Sequence, residues 1–134
     1  MKRNVILLMV LVSTVVVFIA ATGSPDVLFS VSPDPLPIGT PAKLTLTNAS
    51  DEFLTLTSKA PWSIYDDEGT VIFTPIYPTG EDIVDPGGTR DWTWNQDRED
   101  GKPLEPGLFE ARMSFRAESG DTIVLETTFE VEAK

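Results

Sequence analysis

Cysteine and histidine are both absent from the 134 residues, and the two absences remove whole classes of chemistry. Ser-His-Asp and Cys-His catalysis lose the base that activates the nucleophile. Structural zinc loses its usual thiolate and imidazole ligands. No disulfide can staple the chain, so its stability has to come from packing. Basic residues are also scarce. Ten Lys and Arg stand against 21 Asp and Glu, a formal net charge of −11. Without Lys2 and Arg3 the rest of the chain keeps 8 basic residues against the same 21 acidic ones, a charge of −13. Such a surface is repelled by phosphate backbones and anionic headgroups, which argues against a nucleic-acid partner.

Long apolar runs are confined to the start. "MKRNVILLMVLVSTVVVFIAATGS" has a basic beginning and then an apolar run from Val5 to Ala21. Ala21 and Gly23 put small residues at the two positions a signal peptidase reads, with cleavage before Ser24. The run is about 17 residues, long for a signal core and just enough for a membrane span. Residues 1–23 are therefore expected to be a signal peptide or an N-terminal membrane anchor, and 24–134 one domain. Lys2 and Arg3 favour an inside N-terminus, so either form places the body outside the cytoplasm, secreted or membrane-anchored. The expected contact with a membrane is through this segment only.

After Ser24 no helical periodicity is evident. Period-two segments recur instead, separated by Pro, Gly, Asn and Asp. "VLFSV" (27–31), "AKLTLTN" (42–48), "FLTLT" (53–57), "WSIYD" (62–66), "VIFT" (71–74), "RDWTWNQ" (90–96), "LFEARMSFRA" (108–117) and "TIVLETTFEVEA" (122–133) read as strands. "SPDPLPIGTP" (32–41) is too proline-rich for a central strand. "DEG" between 66 and 70 signals a hairpin, and "PIYPTGEDIVDPGG" (75–88) reads as a long connection. Phe109, Ala111, Met113 and Phe115 share one face of their strand, while Glu110, Arg112, Ser114 and Arg116 share the other. A sheet with one buried and one wet face writes this pattern. About eight short strands, with turns every 8 to 12 residues, predict a single antiparallel immunoglobulin-like β-sandwich preceded by the N-terminal hydrophobic helix. Trp92 and Trp94 are expected to point inward, and 92–115 to form a hairpin or corner.

Three stretches, "NASDEFLTL", "YDDEGTVIF" and "DPGGTRDWTWNQDREDGKPLEPGLFEARMSF", resemble in order and spacing the intracellular proteinase inhibitor (BsuPI-type) domain. The resemblance covers about residues 42 to 117. It implies an all-β fold and, for some members, inhibition of serine proteinases. It carries no catalytic residues, and no reactive-site motif falls on a position here. The export segment departs from the "intracellular" of the family's name.

The remaining motifs are weak as chemistry. Counted from Asn95, the sixth and twelfth positions of a calcium loop would be Asp100 and Pro106, where an EF-hand needs Gly and a bidentate Glu. The acids lie in turns or on wet strand faces, with no cleft to pair two of them for glycoside hydrolysis. No pattern calls for a metal or cofactor, and no enzyme activity is expected. Asn48-Ala49-Ser50 is an N-glycosylation sequon in a turn. Ile76 and Tyr77 lie between Pro75 and Pro78, where a stiffened backbone would display two large apolar side chains to a protein partner. Ile76, Tyr77 and Pro78 are the candidate protein-binding residues, the alternative being that they fold under the loop. The expected function is a non-catalytic extracytoplasmic protein-binding module, with proteinase inhibition suggested by the resemblance. The alternative is a structural or accessory module of a cell-envelope assembly.

Overall fold

The computed structural model describes residues 15–17, 26–76 and 79–134. Among these the secondary structure is entirely strand: β1 (Val15–Val17), β2 (Val27–Ser32), β3 (Leu36–Pro37), β4 (Ala42–Asn48), β5 (Leu54–Ser58), β6 (Trp62–Asp66), β7 (Val71–Phe73), β8 (Thr79–Val84), β9 (Thr89–Trp94), β10 (Gly107–Arg116) and β11 (Thr122–Glu132). The helix expected over 1–23 lies outside the described residues, apart from Val15–Val17, which pair antiparallel with β11.

The strands form two sheets. The smaller has the order β2-β4-β9 and is antiparallel throughout. In the larger sheet, β10 pairs with β11 from Gly107↔Val131 to Arg116↔Thr122 without a break in register. Along its other side β10 meets β6 first and β5 last, at Arg116↔Thr55. β7 extends the sheet beyond β6, and β8 beyond β5. Both sheets turn alternate side chains into one core. Phe29, Leu44, Leu46 and Trp94 come from the smaller sheet, and Leu56, Ile64, Met113, Phe115, Leu125 and Phe129 from the larger. Trp94 meets Phe129 edge-on across the layers, with centroids 6.2 Å apart. The architecture is thus a two-layer β-sandwich held by interdigitated apolar faces.

Two expectations need correction. The connection 75–88 contains a strand, β8, whose Gly and acidic residues hide its period. The sandwich is not wholly antiparallel, because β3 runs parallel to β11 at Leu36↔Val131 and Pro37↔Glu132. Of the two readings of 92–115, the corner holds: β9 belongs to the smaller sheet and β10 to the larger. The predicted 66–70 hairpin is present. Asp66 Oδ1 accepts from the Glu68 and Thr70 amides, and Gly69 takes the positive φ of 84° that the turn requires.

The tryptophans divide. Trp94 is 1% exposed, and its Nε1 donates to the Asp97 carbonyl at 2.9 Å. Trp92 is half-buried against the core and donates to the Lys59 carbonyl at 2.7 Å. The pair therefore does not form an open stacking platform. Trp62 is also core, packed 5.8 Å from Phe73, and its Nε1 has no hydrogen-bond partner among the described residues.

Asn48 is fully buried. Its Nδ2 donates to the carbonyls of Glu52 (2.7 Å), Val84 (3.2 Å) and Asp85 (3.1 Å). Its Oδ1 accepts from the Ser50 amide and hydroxyl. Its backbone N–H donates to Gly88, and its carbonyl accepts from Gly87. A Cβ at Gly88 would sit 2.9 Å from the Asp85 carbonyl oxygen, so glycine is needed for this approach. The sequon reading fails here on physical grounds. A sugar on Nδ2 would have to displace three carbonyls inside the protein.

Two stability outcomes follow from this packing. Trp94→Ala should cost about 3–5 kcal/mol and Trp92→Ala clearly less, read by denaturant unfolding. Asn48→Ala removes a buried hydrogen bond to Val84 and part-buried ones to Glu52 and Asp85, and should cost on the order of 3 kcal/mol. An Asn48→Ala midpoint equal to wild type would show that the carbonyls find other partners.

Candidate functional site

The connection from β7 to β8 rises from a fixed root. Thr74 donates its amide to Glu99 Oε2 at 2.9 Å, and its hydroxyl lies 3.0 Å from that of Ser63. The Glu99 amide in turn donates to the Ile72 carbonyl at 2.8 Å. The 95–106 corner therefore clamps the outer edge of β7 just before the candidate loop begins. Two residues on, Ile76 is 97% exposed, so it does not fold under the loop. Tyr77 and Pro78 lie outside the described residues.

Apolar exposure continues along the same margin of the larger sheet. Ile83, on β8 opposite Thr55, is 53% exposed, and Phe53 is 50% exposed. Phe53 precedes Thr55 by two and shares its outward side. Its amide donates to Glu118 Oε2 at 2.7 Å. Behind Ile83, Arg90 forks onto Asp82, with Nε to Oδ2 at 2.8 Å, and also donates to the Ile83 carbonyl. This hydrogen-bonded guanidinium holds the Asp82 carboxyl below its ordinary pKa. The fork joins β8 of one sheet to β9 of the other, so the margin bearing Ile83 is braced.

The outer face of β6, β10 and β11 carries a second group of side chains. The Arg112 guanidinium lies over the Tyr65 ring, 4.0 Å from its centroid. Its Nε donates to Glu110 Oε1 and lies 3.4 Å from Glu126 Oε2. Tyr65 and Glu110 are paired in register, as are Arg112 and Glu126. A shallow groove of about 300 Å³ lies beside Arg112, between Pro61, Tyr65 and Val124. Burial, and next the negative charge of Glu110, raise the Glu126 pKa, and Arg112 opposes them. One guanidinium thus serves two carboxylates, an arrangement of mutual neutralisation.

At the 66–69 turn, grooves of about 420 and 470 Å³ flank Leu108 and Phe109 and share Asp66 and Asp67 as a rim. The acidic corner beside them is paired internally. Arg98 forks onto Asp100, whose pKa falls to about 2 through that hydrogen bond and the Lys102 amide. Among the described residues, no group of three or more Asp or Glu converges as a metal would require.

The motifs missed by sequence reasoning are the Asp82–Arg90 fork and the Tyr65–Arg112 stack. Tyr65 and Arg112 lie on paired strands far apart in sequence, brought together by the β6–β10 register. Asp82 and Arg90 are only eight residues apart but belong to different sheets, a placement that alternation does not encode.

The raised pKa of Glu126 has a readable sign. Protonation favours the folded state, so its contribution is full below the ordinary value of 4.5 and is lost as pH rises through the folded value. Glu126→Gln should therefore be at least as stable as wild type at pH 7, by less than about 1 kcal/mol, with the difference vanishing below pH 4.5. Paired thermal melts across pH check this. A Glu126→Gln chain less stable at neutral pH would show that the Arg112 attraction outweighs desolvation.

No protein-family model matches the chain, and no curated protein matches it in sequence. Solved structures do resemble it. Dimeric latent PorU from Porphyromonas gingivalis is 15% identical over 85% of this chain, with a TM-score of 0.51, and the match spans 10% of the PorU chain. The putative ApaA protein from Bordetella pertussis is 18% identical over 80% of this chain and 94% of its own, with a TM-score of 0.47. The PmoD soluble domain from Methylocystis sp. is 16% identical over 87% of this chain and 96% of its own, also at 0.47. This chain spans only about a tenth of PorU's length, and at such identities the likeness is one of fold.

Proposed function

We propose that this chain is a non-catalytic, extracytoplasmic protein-binding module of immunoglobulin-like type, and that the β7–β8 connection holds its contact residue. The observation that carries the reading is Ile76, a large aliphatic side chain almost wholly in water on a loop with a clamped root. A loop whose base is already ordered loses less entropy on binding. Ile83 and Phe53 continue the apolar margin. The partner class is protein. Net charge opposes nucleic acid, and the membrane is reached only through residues 1–23. Among proteins, a serine proteinase is the partner suggested by the BsuPI-type resemblance in 42–117. The basic start, apolar run and small residues before Ser24 place the module outside the cytoplasm, secreted or anchored.

The test is titration of the purified chain against a panel of serine proteinases, by inhibition and by surface capture. Ile76→Asp and Tyr77→Ala should each weaken capture by on the order of 2 kcal/mol while the melting temperature stays at the wild-type value. If either substitution lowers stability by a core-sized amount, the loop is structural. If no proteinase is captured and the chain co-fractionates with an envelope assembly, the accessory-module reading replaces this one.

A further inference from the structure

The outer edge of β11 opposite the β10 pairing is where one strand can be exchanged for another. In a strand, the N–H and C=O of one residue point to the same side, and sides alternate along the chain. The Ala117 amide donates to the Asp121 carbonyl, which turns the odd-numbered residues of β11 toward β10. The even-numbered ones face out. Glu130 accordingly donates its amide to Asp34 Oδ1 at 3.1 Å, and the Glu132 carbonyl accepts from Ile38 at 2.9 Å. The segment around β3 thus closes the far end of this edge. Val124, Glu126 and Thr128 also direct their N–H and C=O outward, and here the neighbour is β1, in the register Val15↔Thr127, Val16↔Glu126 and Val17↔Leu125. Beside β11 across the seam lies β2, the edge of the other sheet, and β1 touches both.

We propose that this stretch of β11 is a strand-accepting edge, covered by residues 15–17 in the uncleaved chain and taken by an extended segment of a partner protein once 1–23 is removed. The inference rests on the export reading for how the edge is vacated. Native edges are usually blunted by Lys, Pro, a bulge or a cover. The run Thr122-Ile123-Val124-Leu125 has no Lys or Pro, and its pairing with β10 has no bulge. Its flanks expose apolar side chains, Val124 at 40% and Leu28 on β2 at 47%. The chemistry of the occupant is set by the strand seated there: antiparallel, uncharged and β-branched. A second copy of this chain fits poorly. Antiparallel pairing centred on the stretch that β1 covers would set Glu126 of each strand against the other, and like charges directly opposite repel. Adding a strand to such an edge draws its affinity from main-chain hydrogen bonds.

The experiment uses the full chain in detergent micelles, with amide exchange read residue by residue. Val16→Pro removes the N–H that faces Glu126. Exchange at Val124, Glu126 and Thr128 should quicken by about tenfold or more, while Leu125, Thr127 and Phe129 stay protected and report an intact fold. Val16→Asp, which keeps the N–H but opposes Glu126, should act in the same direction. A lysine-flanked peptide copying residues 12–20 should restore protection in the Val16→Pro chain, and a scrambled peptide should not. Unchanged exchange in both variants overturns the proposal, as does equal protection by the scrambled peptide. Protection that returns without peptide as the chain dimerises overturns it in favour of a second copy. The mass of the chain exported by cells reports leader cleavage separately. If 1–23 is retained while the peptide still protects the edge, the export reading fails and the acceptor edge stands.

Discussion

The sandwich depends on a single carboxamide. The chain passes from the smaller sheet to the larger through 49–53 and returns through 85–88, and both passages meet at Asn48. Strand ends that leave a sheet carry carbonyls with no ladder partner, and burying them unpaired is costly. Here three carbonyls from two separate segments converge on one Nδ2 group, while the backbone of Asn48 pairs with Gly87 and Gly88. Gln96 does the same work at the other end of β4. Its Nε2 donates to the Pro37 and Thr40 carbonyls, and its Oε1 accepts from Gly39. In a chain without disulfides, two side-chain amides bind the loops to the ends of the core.

These two residues mark where sequence reading stops. The strands with the strongest alternation, β4, β10 and β11, were legible to within a residue or two, because their apolar residues recur at period two over seven or more positions. The sandwich class followed from their number and spacing. What period two does not encode is which sheet a strand joins. The Trp92–Phe115 stretch therefore reads equally as hairpin or corner. β8 was missed for a local reason. Only Val84 of its residues is an inward apolar side chain in the core, and Gly80, Glu81 and Asp82 look like loop. Asn48 and Gln96 were illegible as hubs because their partners are carbonyls, which every residue carries. The sequon at Asn48 marked the right position and the wrong chemistry.

The candidate surface was half legible. Ile76 between two prolines in the sequence suggested display, and its exposure agrees. Ile83 and Phe53 gave no signal, since isolated apolar residues are as common outside as in. The charges also sorted themselves in a way composition does not reveal. Lys43, Arg90, Arg98, Arg112 and Arg116 all have an acidic partner within 4 Å. Exposed pairs of this kind add little stability. Their larger effect is to occupy half of the ten cations, leaving the excess of acids to set the long-range field. Under the proposed binding role, a partner is selected against negative charge at a distance and held by apolar contact up close.

The two margins of the larger sheet meet that requirement differently. At β8 an outward carbonyl, that of Ile83, is already taken by Arg90, and Arg90 is itself tied to Asp82. Backbone pairing there would have to break a charge-assisted network, so contact at that margin falls to side chains such as Ile76 and Ile83. At β11 the outward N–H and C=O groups of Glu126 face a strand, at Val16, and not a side chain. A strand can be replaced by another of similar character at little net cost in hydrogen bonds. Under the two proposals, one edge serves side-chain recognition and the other strand exchange, and the difference follows from whether a charged side chain or a backbone ladder closes the sheet.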